Sequence, residues 1–188
     1  MLKSLNIRLN ALKKIQNVAS FKGRKMVANG IIMSKLVYLA PLWAGCEAYL
    51  KKSLQLIQNK AARIVTKCDN QTPIKRLLVQ CGWLSVRQLC TYHSLVLFFK
   101  IRQSEAPYHM FVKLFSDNNM SYNLRSTADE KVRLGPDSQA QAELARNSFK
   151  YRTTKEWNVL PLELRNTPKL DMFKIKLKQW IKENIPIA

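Results

Sequence analysis

The chain has 188 residues, of which 47% are hydrophobic, so it can bury a substantial core and does not have the composition of a disordered protein. Its 32 Lys and Arg residues outnumber its 12 Asp and Glu residues, which gives a formal net charge of +20. A small domain needs a net charge of only roughly 2–8 to stay in solution. The excess therefore favours a polyanionic partner, nucleic acid before an acidic membrane.

The absence of a secretory signal pattern and the spacing of the cysteines indicate a nuclear or cytoplasmic protein that is not secreted. No apolar run approaches the ~20 residues that a membrane span requires, so no membrane partner is expected. The first residues lack a hydrophobic signal core and already show a helical pattern. The cysteines are scattered through helical patterns, which is typical of reduced thiols.

Amphipathic patterns predict a helical bundle over residues 1–116. The predicted helices lie at about 2–15, 23–38, 50–68, 73–81, 86–102 and 107–115. Gly82 is expected to end the fourth helix in a left-handed conformation, and Ser85 to cap the fifth. The fifth helix has apolar residues on most sides and is expected to be the central buried one.

The pattern changes after residue 116, which places a soft domain boundary near residue 117 and makes 117–188 a C-terminal extension. Tyr122 and Leu124 are predicted to form one short strand in a loop-rich segment. Residues 146–152 are predicted to form its partner, because apolar and basic residues alternate there. The predicted fold class is mainly α, a helical bundle with a small two-stranded β-ribbon in the C-terminal part.

Helix signals follow this predicted ribbon. Thr153 stands three residues before Glu156, the spacing of a capping box, and predicts the start of a short helix that carries Trp157. Pro161 turns the chain after it. The pair 167–168, Thr-Pro, predicts the start of a last helix with Phe173 on its apolar face.

The motif RTTKEWNVLPLELR, followed by a lysine-rich helix, resembles the C-terminal end of non-LTR (LINE-type, jockey/CR1-like) retrotransposon reverse transcriptases. Four earlier motifs resemble that region in the same order: SKLVY with a following Pro and Trp, LQLIQNKAARIV, GWLSV and YNLRS. The resemblance covers nearly the whole chain and implies a thumb and post-thumb region. The motif residues it marks are Trp83, Tyr122, Arg125, Arg152, Trp157, Asn158, Pro161 and Phe173.

The residues that catalysis would need are missing, so no catalytic residue, metal site or cofactor is expected. Two-metal phosphoryl transfer needs converging carboxylates, and the only adjacent acidic pair is Asp129-Glu130, in a predicted loop. Cys90 and His93 form the only tight Cys/His pair, which does not make a zinc site. The chain is therefore not expected to be an enzyme on its own. The resemblance implies that the parent protein, of which this chain would be a part, is an RNA-directed DNA polymerase.

Clustered basic residues are the candidate nucleic-acid contacts, and a solvated helix face is the alternative for each. They flank the second and third predicted helices, and Lys75 and Arg76 follow shortly after the end of the third. On the last predicted helix, lysines recur at four-residue steps, a spacing at which like charges repel. The candidate contacts are Lys22, Arg24, Lys25, Lys35, Lys60, Arg63, Lys67, Lys174, Lys178 and Lys182. The tyrosines that could stack on bases are Tyr38, Tyr49, Tyr92 and Tyr151, whereas Trp83 and Trp157 are interpreted as core residues.

The resemblance implies a non-catalytic C-terminal fragment of a LINE-type polymerase that binds the template–primer backbone of RNA or DNA through basic helices. One alternative is a protein-interaction module whose apolar faces meet the missing polymerase palm. A domesticated or relic fragment without a nucleic-acid role is another. An anionic-membrane binder is disfavoured, because the basic and aromatic residues are not segregated on one long amphipathic helix.

Overall fold

The structure, a computed structural model, describes residues 2–38, 40–103 and 148–187. The regular secondary structure in these residues is helical, so the prediction of a mainly α fold is confirmed. The helices are α1 (Leu2–Lys14), α2 (Phe21–Ala28), a π-helical stretch (Asn29–Met33), α3 (Ser34–Val37), α4 (Ala40–Trp43), α5 (Ala48–Thr66), α6 (Ile74–Cys81), α7 (Val86–Arg102), α8 (Phe149–Val159), α9 (Leu162–Arg165) and α10 (Leu170–Asn184). Of the helices described, none combines the length and apolar character that crossing a membrane requires.

The described residues divide into two compact units. The first unit contains the chain up to Cys90 together with the residues from Ile185 onwards, and the second contains the residues from Thr91 to Asn184. The division falls within α7. The domain boundary predicted near residue 117 lies outside the described residues.

Helix α5 is the centre of the first unit and packs against α1, α2 and α6. Its apolar residues recur at three- and four-residue steps and are buried, whereas the opposite face carries Lys60 and other exposed residues. Gln58 is fully buried in this core, and its amide donates to the carbonyl oxygen of Leu84 at 2.7 Å. This hydrogen bond fixes the segment before α7 against α5, and it supplies the partner that a buried amide requires.

Local capping signals set the helix ends around α6 and α7. Gly82 ends α6 with a φ of 68°, in the left-handed region that glycine adopts without cost, as predicted. Ser85 and Gln88 form a capping box: Ser85 Oγ accepts from the Gln88 amide at 3.3 Å, and Gln88 Oε1 accepts from the Ser85 amide at 2.9 Å. Gln88 Nε2 also donates to the carbonyl of Ile185 at 2.7 Å, which holds the end of the chain on this unit.

The helix predicted at about 23–38 begins earlier and is interrupted by a π-helical stretch. Ser20 caps α2, and its Oγ accepts from the Gly23 amide at 3.2 Å, so the helix starts at Phe21. Within the π-helical stretch, Asn29 Oδ1 accepts from Trp83 Nε1 at 2.8 Å. Trp83 itself is 8% exposed, in agreement with its interpretation as a core residue.

An aromatic cluster forms the core of the second unit. Trp157 is fully buried, as predicted, with ring centroids 4.9 Å from Phe98 and 5.8 Å from Phe173. Phe99 stacks on Phe173 at 4.3 Å. Because aromatic pairs at these distances add to the free energy of burial, this cluster joins α7, α8 and α10.

The strand predicted within residues 146–152 is wrong for residues 149–152, which form the first turn of α8. Ser148 caps this helix, and its Oγ accepts from the Tyr151 amide at 3.3 Å. A four-residue alternation is too short to outweigh that cap. The predicted partner strand at Tyr122 and Leu124 lies outside the described residues, so the ribbon is unconfirmed.

Two other predicted helix starts in this unit are also wrong. Thr153 and Glu156 lie inside α8 and form no capping box; instead, Glu156 Oε1 accepts from Thr91 Oγ1 at 3.2 Å. The last helix begins at Leu170, and Thr167 Oγ1 donates to the carbonyl of Glu163 at 3.0 Å. Both threonines are buried within this unit.

Candidate nucleic-acid interface

The prediction that Arg24 contacts nucleic acid is wrong, because its side chain is buried. It is 5% exposed, and its Nε donates to the carbonyl of Val65, in the last turn of α5, at 2.9 Å. Its Nη1 donates to the carbonyls of Gln16 at 3.3 Å and of Ala19. The guanidinium thus satisfies one carbonyl in the last turn of α5 and two in the turn between α1 and α2, and it ties α2 to the end of α5.

Arg63, another predicted contact, also has a structural role, because it binds the loop after α5. Its Nη1 donates to the carbonyl oxygens of Asp69 at 2.7 Å and Thr72 at 3.2 Å. The loop between α5 and α6 is therefore held against α5 itself. The held loop connects Lys67, which ends α5, to Lys75 in the first turn of α6.

Lys22 and Lys25 flank Arg24 on α2 and are brought to the same end of α5 by its hydrogen bonds. Lys22 is exposed, and Lys25 is half-buried. Lys25 Nζ lies 3.7 Å from the position that a Cβ at Gly82 would occupy. Burial raises the pKa of the neighbouring Cys81 thiol to about 11, and the Lys25 ammonium offsets part of that rise.

These elements define a basic corner of the first unit, formed by cations on α2, the second half of α5 and the start of α6. Most of these cations are exposed, and the hydrogen bonds of Arg24 and Arg63 hold the elements that carry them. The basic corner consists of Lys22, Lys25, Lys60, Lys67, Lys75 and Arg76. Glu47 and Asp69 are the only acidic residues of positions 1–90, and only Asp69 lies in the loop that belongs to this corner.

Lys35 lies on α3 and is not brought to the basic corner by any contact among the described residues. Its Nζ is 5.9 Å from the ring centroid of Tyr38, and Tyr38 is 64% exposed. A cation beside an exposed ring is an arrangement on which a base could stack. Tyr49, at 62% exposure on α5, is the other predicted stacking residue with an open ring in this unit.

The last three predicted contacts lie on α10 in the second unit, at four-residue steps. Lys178 and Lys182 are exposed. Lys174 is half-buried and forms an ion pair with Asp171 at 3.1 Å. It also lies close enough to Tyr92 to oppose the rise that burial produces in the pKa of that tyrosine. Lys174 is therefore engaged within the unit, whereas the other two present their charge to solvent.

The motif residues of the second unit are mainly structural. Phe173 and Trp157 are fully buried, and Arg152 and Asn158 are half-buried on α8. Pro161 separates α8 from α9 and is exposed, which agrees with the predicted turn. The remaining two, Tyr122 and Arg125, lie outside the described residues.

Side chains suited to metal binding are not grouped in the part of the chain that the structure describes. In residues 2–38, 40–103 and 148–187, no group of three or more His, Cys, Asp or Glu side chains could hold a metal ion. His93 packs edge-on against Tyr92 at 5.1 Å, and burial lowers its pKa below the ordinary value. Burial therefore favours the neutral form of the imidazole.

The structural role of Arg24 could not be predicted, and the sequence pattern groups this residue with the free cations. Its carbonyl acceptor on α5, Val65, lies 41 positions away, so no local spacing could have indicated this contact. By contrast, a signal for the cap at Ser148 is present in the sequence, since a serine directly precedes the helix. Lys75 and Arg76 are basic neighbours in the sequence, and the structure places them in the basic corner.

Comparisons with known proteins add no relative. No model of a protein family matches the chain, and neither a curated protein nor a solved structure matches it. The resemblance to LINE-type reverse transcriptases is thus a hypothesis that depends on the motifs themselves.

Proposed function

We propose that the chain binds the sugar–phosphate backbone of nucleic acid, as a non-catalytic C-terminal part of a LINE-type reverse transcriptase. The observation that carries this proposal is the basic corner. Its cations come from three helices, and the hydrogen bonds of Arg24 and Arg63 hold those helices in place. A fixed cluster of positive charges attracts phosphates without first having to be assembled.

The side chains of the basic corner favour backbone contacts over base reading. Five of its six members are lysines, whose compact ammonium groups act as point charges on flexible stems. Its two arginine neighbours have donors engaged with carbonyl oxygens and are less able to form the bidentate contacts that read guanine. Binding with little sequence preference follows from this arrangement.

Fluorescence anisotropy over a salt series tests the proposal. The ligand is a labelled mixed-sequence duplex of about 20 base pairs, and a shuffled duplex of the same composition is the control. We expect both duplexes to bind with similar affinity, and log Kd to change with log salt by about 0.9 per phosphate contacted. Absence of binding at low salt, a flat salt response or a strong preference for one duplex would contradict the proposal.

The proposal also holds that the chain does not polymerise nucleotides on its own, because the sequence has no pair of neighbouring aspartates to hold two metal ions. Purified chain is expected to extend no primer with magnesium or manganese on RNA or DNA templates. Incorporation above that of a mock preparation would contradict this part of the proposal.

The family origin has a separate test in the genome. A reading frame directly upstream that encodes a polymerase palm with an Asp-Asp motif would support it. A contiguous upstream frame encoding an unrelated protein would contradict the origin and leave the nucleic-acid proposal to stand on the basic corner alone.

A further inference from the structure

A second surface of the first unit lies along α5 from position 48 to position 59 and shares no residue with the basic corner. A groove of about 660 Å³ runs beside the first half of α5 and the start of α7. Val86, which is 4% exposed, lies at its base, and Leu56, which is 52% exposed, forms part of one wall. Its volume lies in the range of ligand-binding clefts, and its lining combines apolar residues with polar and cationic ones.

The directional hydrogen-bonding groups at the base of the groove are already used. Gln55 Oε1 accepts from the Val86 amide at 2.8 Å, which joins the groove's two sides. Gln55 Nε2 donates to Gln58 Oε1 at 2.9 Å and to Asn59 Oδ1 at 2.8 Å. Between its cationic side chains, the groove therefore offers a ligand mainly apolar surface.

The charged side chains that line the groove all have the same sign. Lys51 and Lys52 lie on α5, and Arg87 lies on the first turn of α7; among the described residues, no carboxylate lines the groove. A partner that fills the groove must bury Leu56 and meet these three cations. Apolar side chains flanked by acidic ones satisfy both conditions.

We propose that this groove docks an acidic amphipathic helix of a partner protein. The lining residues of α5 span positions 48–59, roughly 17 Å along the helix axis, which is the length of about three helical turns. Such a helix would place its apolar stripe against Leu56 and Val86 and its Asp or Glu side chains beside the cations, the helix-in-groove mode of recognition. This inference does not depend on the nucleic-acid proposal, because it uses different residues.

A designed probe tests the groove directly. It is a fluorescein-labelled helical peptide of about 18 residues with leucines at three- and four-residue steps and glutamates elsewhere. One control peptide has the same composition with its leucines dispersed around the helix, and another has lysines in place of the glutamates. We expect the first peptide to bind about tenfold or more tightly than either control. Equal binding of the patterned and dispersed peptides, or no binding by any, would overturn the proposal.

Paired variants then locate the binding surface. Leu56→Glu is expected to weaken binding of the probe about tenfold or more, while Ile7→Glu, at an apolar residue that is 70% exposed on α1, leaves it unchanged. The double variant Lys51→Glu/Lys52→Glu is expected to weaken it, while Lys67→Glu/Lys75→Glu in the basic corner has a smaller effect. Circular dichroism confirms that each variant is folded. Equal effects within either pair would overturn the proposal.

Duplex DNA binding is measured on the same variants to separate the two proposals. If Leu56→Glu weakens DNA binding as much as it weakens peptide binding, the groove belongs to a nucleic-acid surface and this inference is wrong. If only peptide binding is affected, the groove is a protein-docking site whatever the outcome for the basic corner.

Discussion

The two units use their cations and their cores differently. In the first unit an aliphatic core surrounds α5, and exposed lysines project from its far end. In the second unit the core is aromatic, and the Arg102 guanidinium lies 5.2 Å from the Trp157 ring centroid. Arg165 is 8% exposed there and donates to the carbonyl of Leu160 at 3.1 Å.

It follows from this comparison that the formal net charge is larger than the positive charge available to a partner. Arg24, Arg63 and Arg165 each donate to backbone carbonyl oxygens, whereas most lysines of the basic corner are exposed. The planar guanidinium has five donors in a fixed fork and suits this task, while the strongly hydrated ammonium of lysine stays in solvent. These three arginines are thus expected to contribute to stability, and the lysines of the basic corner to binding.

The largest expected effect concerns the aromatic core of the second unit. Trp157→Ala should lower the free energy of unfolding by ~3–5 kcal/mol, because it removes a fully buried ring from contact with Phe98 and Phe173. Urea denaturation followed by circular dichroism measures it. Trp180→Ala on α10, at a half-buried position, is the control and should cost less. Equal losses for the two variants would show that the cluster is not the core of this unit.

Arg24→Met tests the structural use of an arginine in the first unit. Loss of the guanidinium leaves the carbonyls of Val65 and Gln16 without their donor and should cost roughly 2–3 kcal/mol. Lys22→Met, two residues earlier at an exposed position, should leave the urea midpoint nearly unchanged. If Arg24→Met weakened DNA binding but not stability, Arg24 would be a contact residue after all.

The Cys81 thiol predicts a loss of stability in alkali. Burial raises its pKa from 9.0 to about 11, so above pH 9 the unfolded chain releases this proton while the folded chain keeps it. The contribution of this thiol to the free energy of unfolding is therefore fully present below pH 9 and is lost between pH 9 and 11. The loss is on the order of 2–3 kcal/mol at the top of that range. Tyr92, whose pKa is also raised, contributes with the same sign.

Urea melts at about pH 8 and about pH 10.5, on either side of the start of this titration, isolate the thiol when wild type is compared with Cys81→Ala. The alkaline loss should be smaller in this variant, while Cys46→Ala, at a half-buried thiol, serves as the control. An unchanged loss in Cys81→Ala would contradict the assignment to this residue.

Lys67→Gly gives the smallest expected change in stability and separates the two roles of one residue. Lys67 has a φ of 55°, in the left-handed region that glycine adopts more readily, so the substitution should stabilise the fold by about 0.5–1 kcal/mol. Lys67→Ala removes the same charge without relieving the backbone. Both variants should lower duplex affinity alike. Different affinities would mean that the backbone conformation, and not the charge, matters for binding.

How far the fold could be predicted depends on how local its causes are. The amphipathic stripe of α5 and the cap at Ser85 depend on patterns within a few residues, and both appear where they were predicted. The strand at 149–152 fails because a short alternation gives little information beside a helix cap. The role of Arg24 and the groove at Leu56 and Val86 depend on residues far apart in the chain, so no local pattern indicates them.

The central claim is that the basic corner, and not the positive charge in general, binds nucleic acid. Two triple variants with the same net charge test it. Lys60→Gln/Lys67→Gln/Lys75→Gln removes exposed cations of the basic corner, and Lys3→Gln/Lys51→Gln/Lys52→Gln removes cations beside the first half of α5.

The measurement is the log–log salt dependence of duplex binding for both variants and wild type. The account predicts a slope smaller by about 2–3 for the basic-corner variant, near 0.9 for each phosphate that the substituted lysines no longer neutralise, and a nearly unchanged slope for the control. Equal reductions in the two variants would contradict the account, because they would show that binding follows net charge and has no preferred surface.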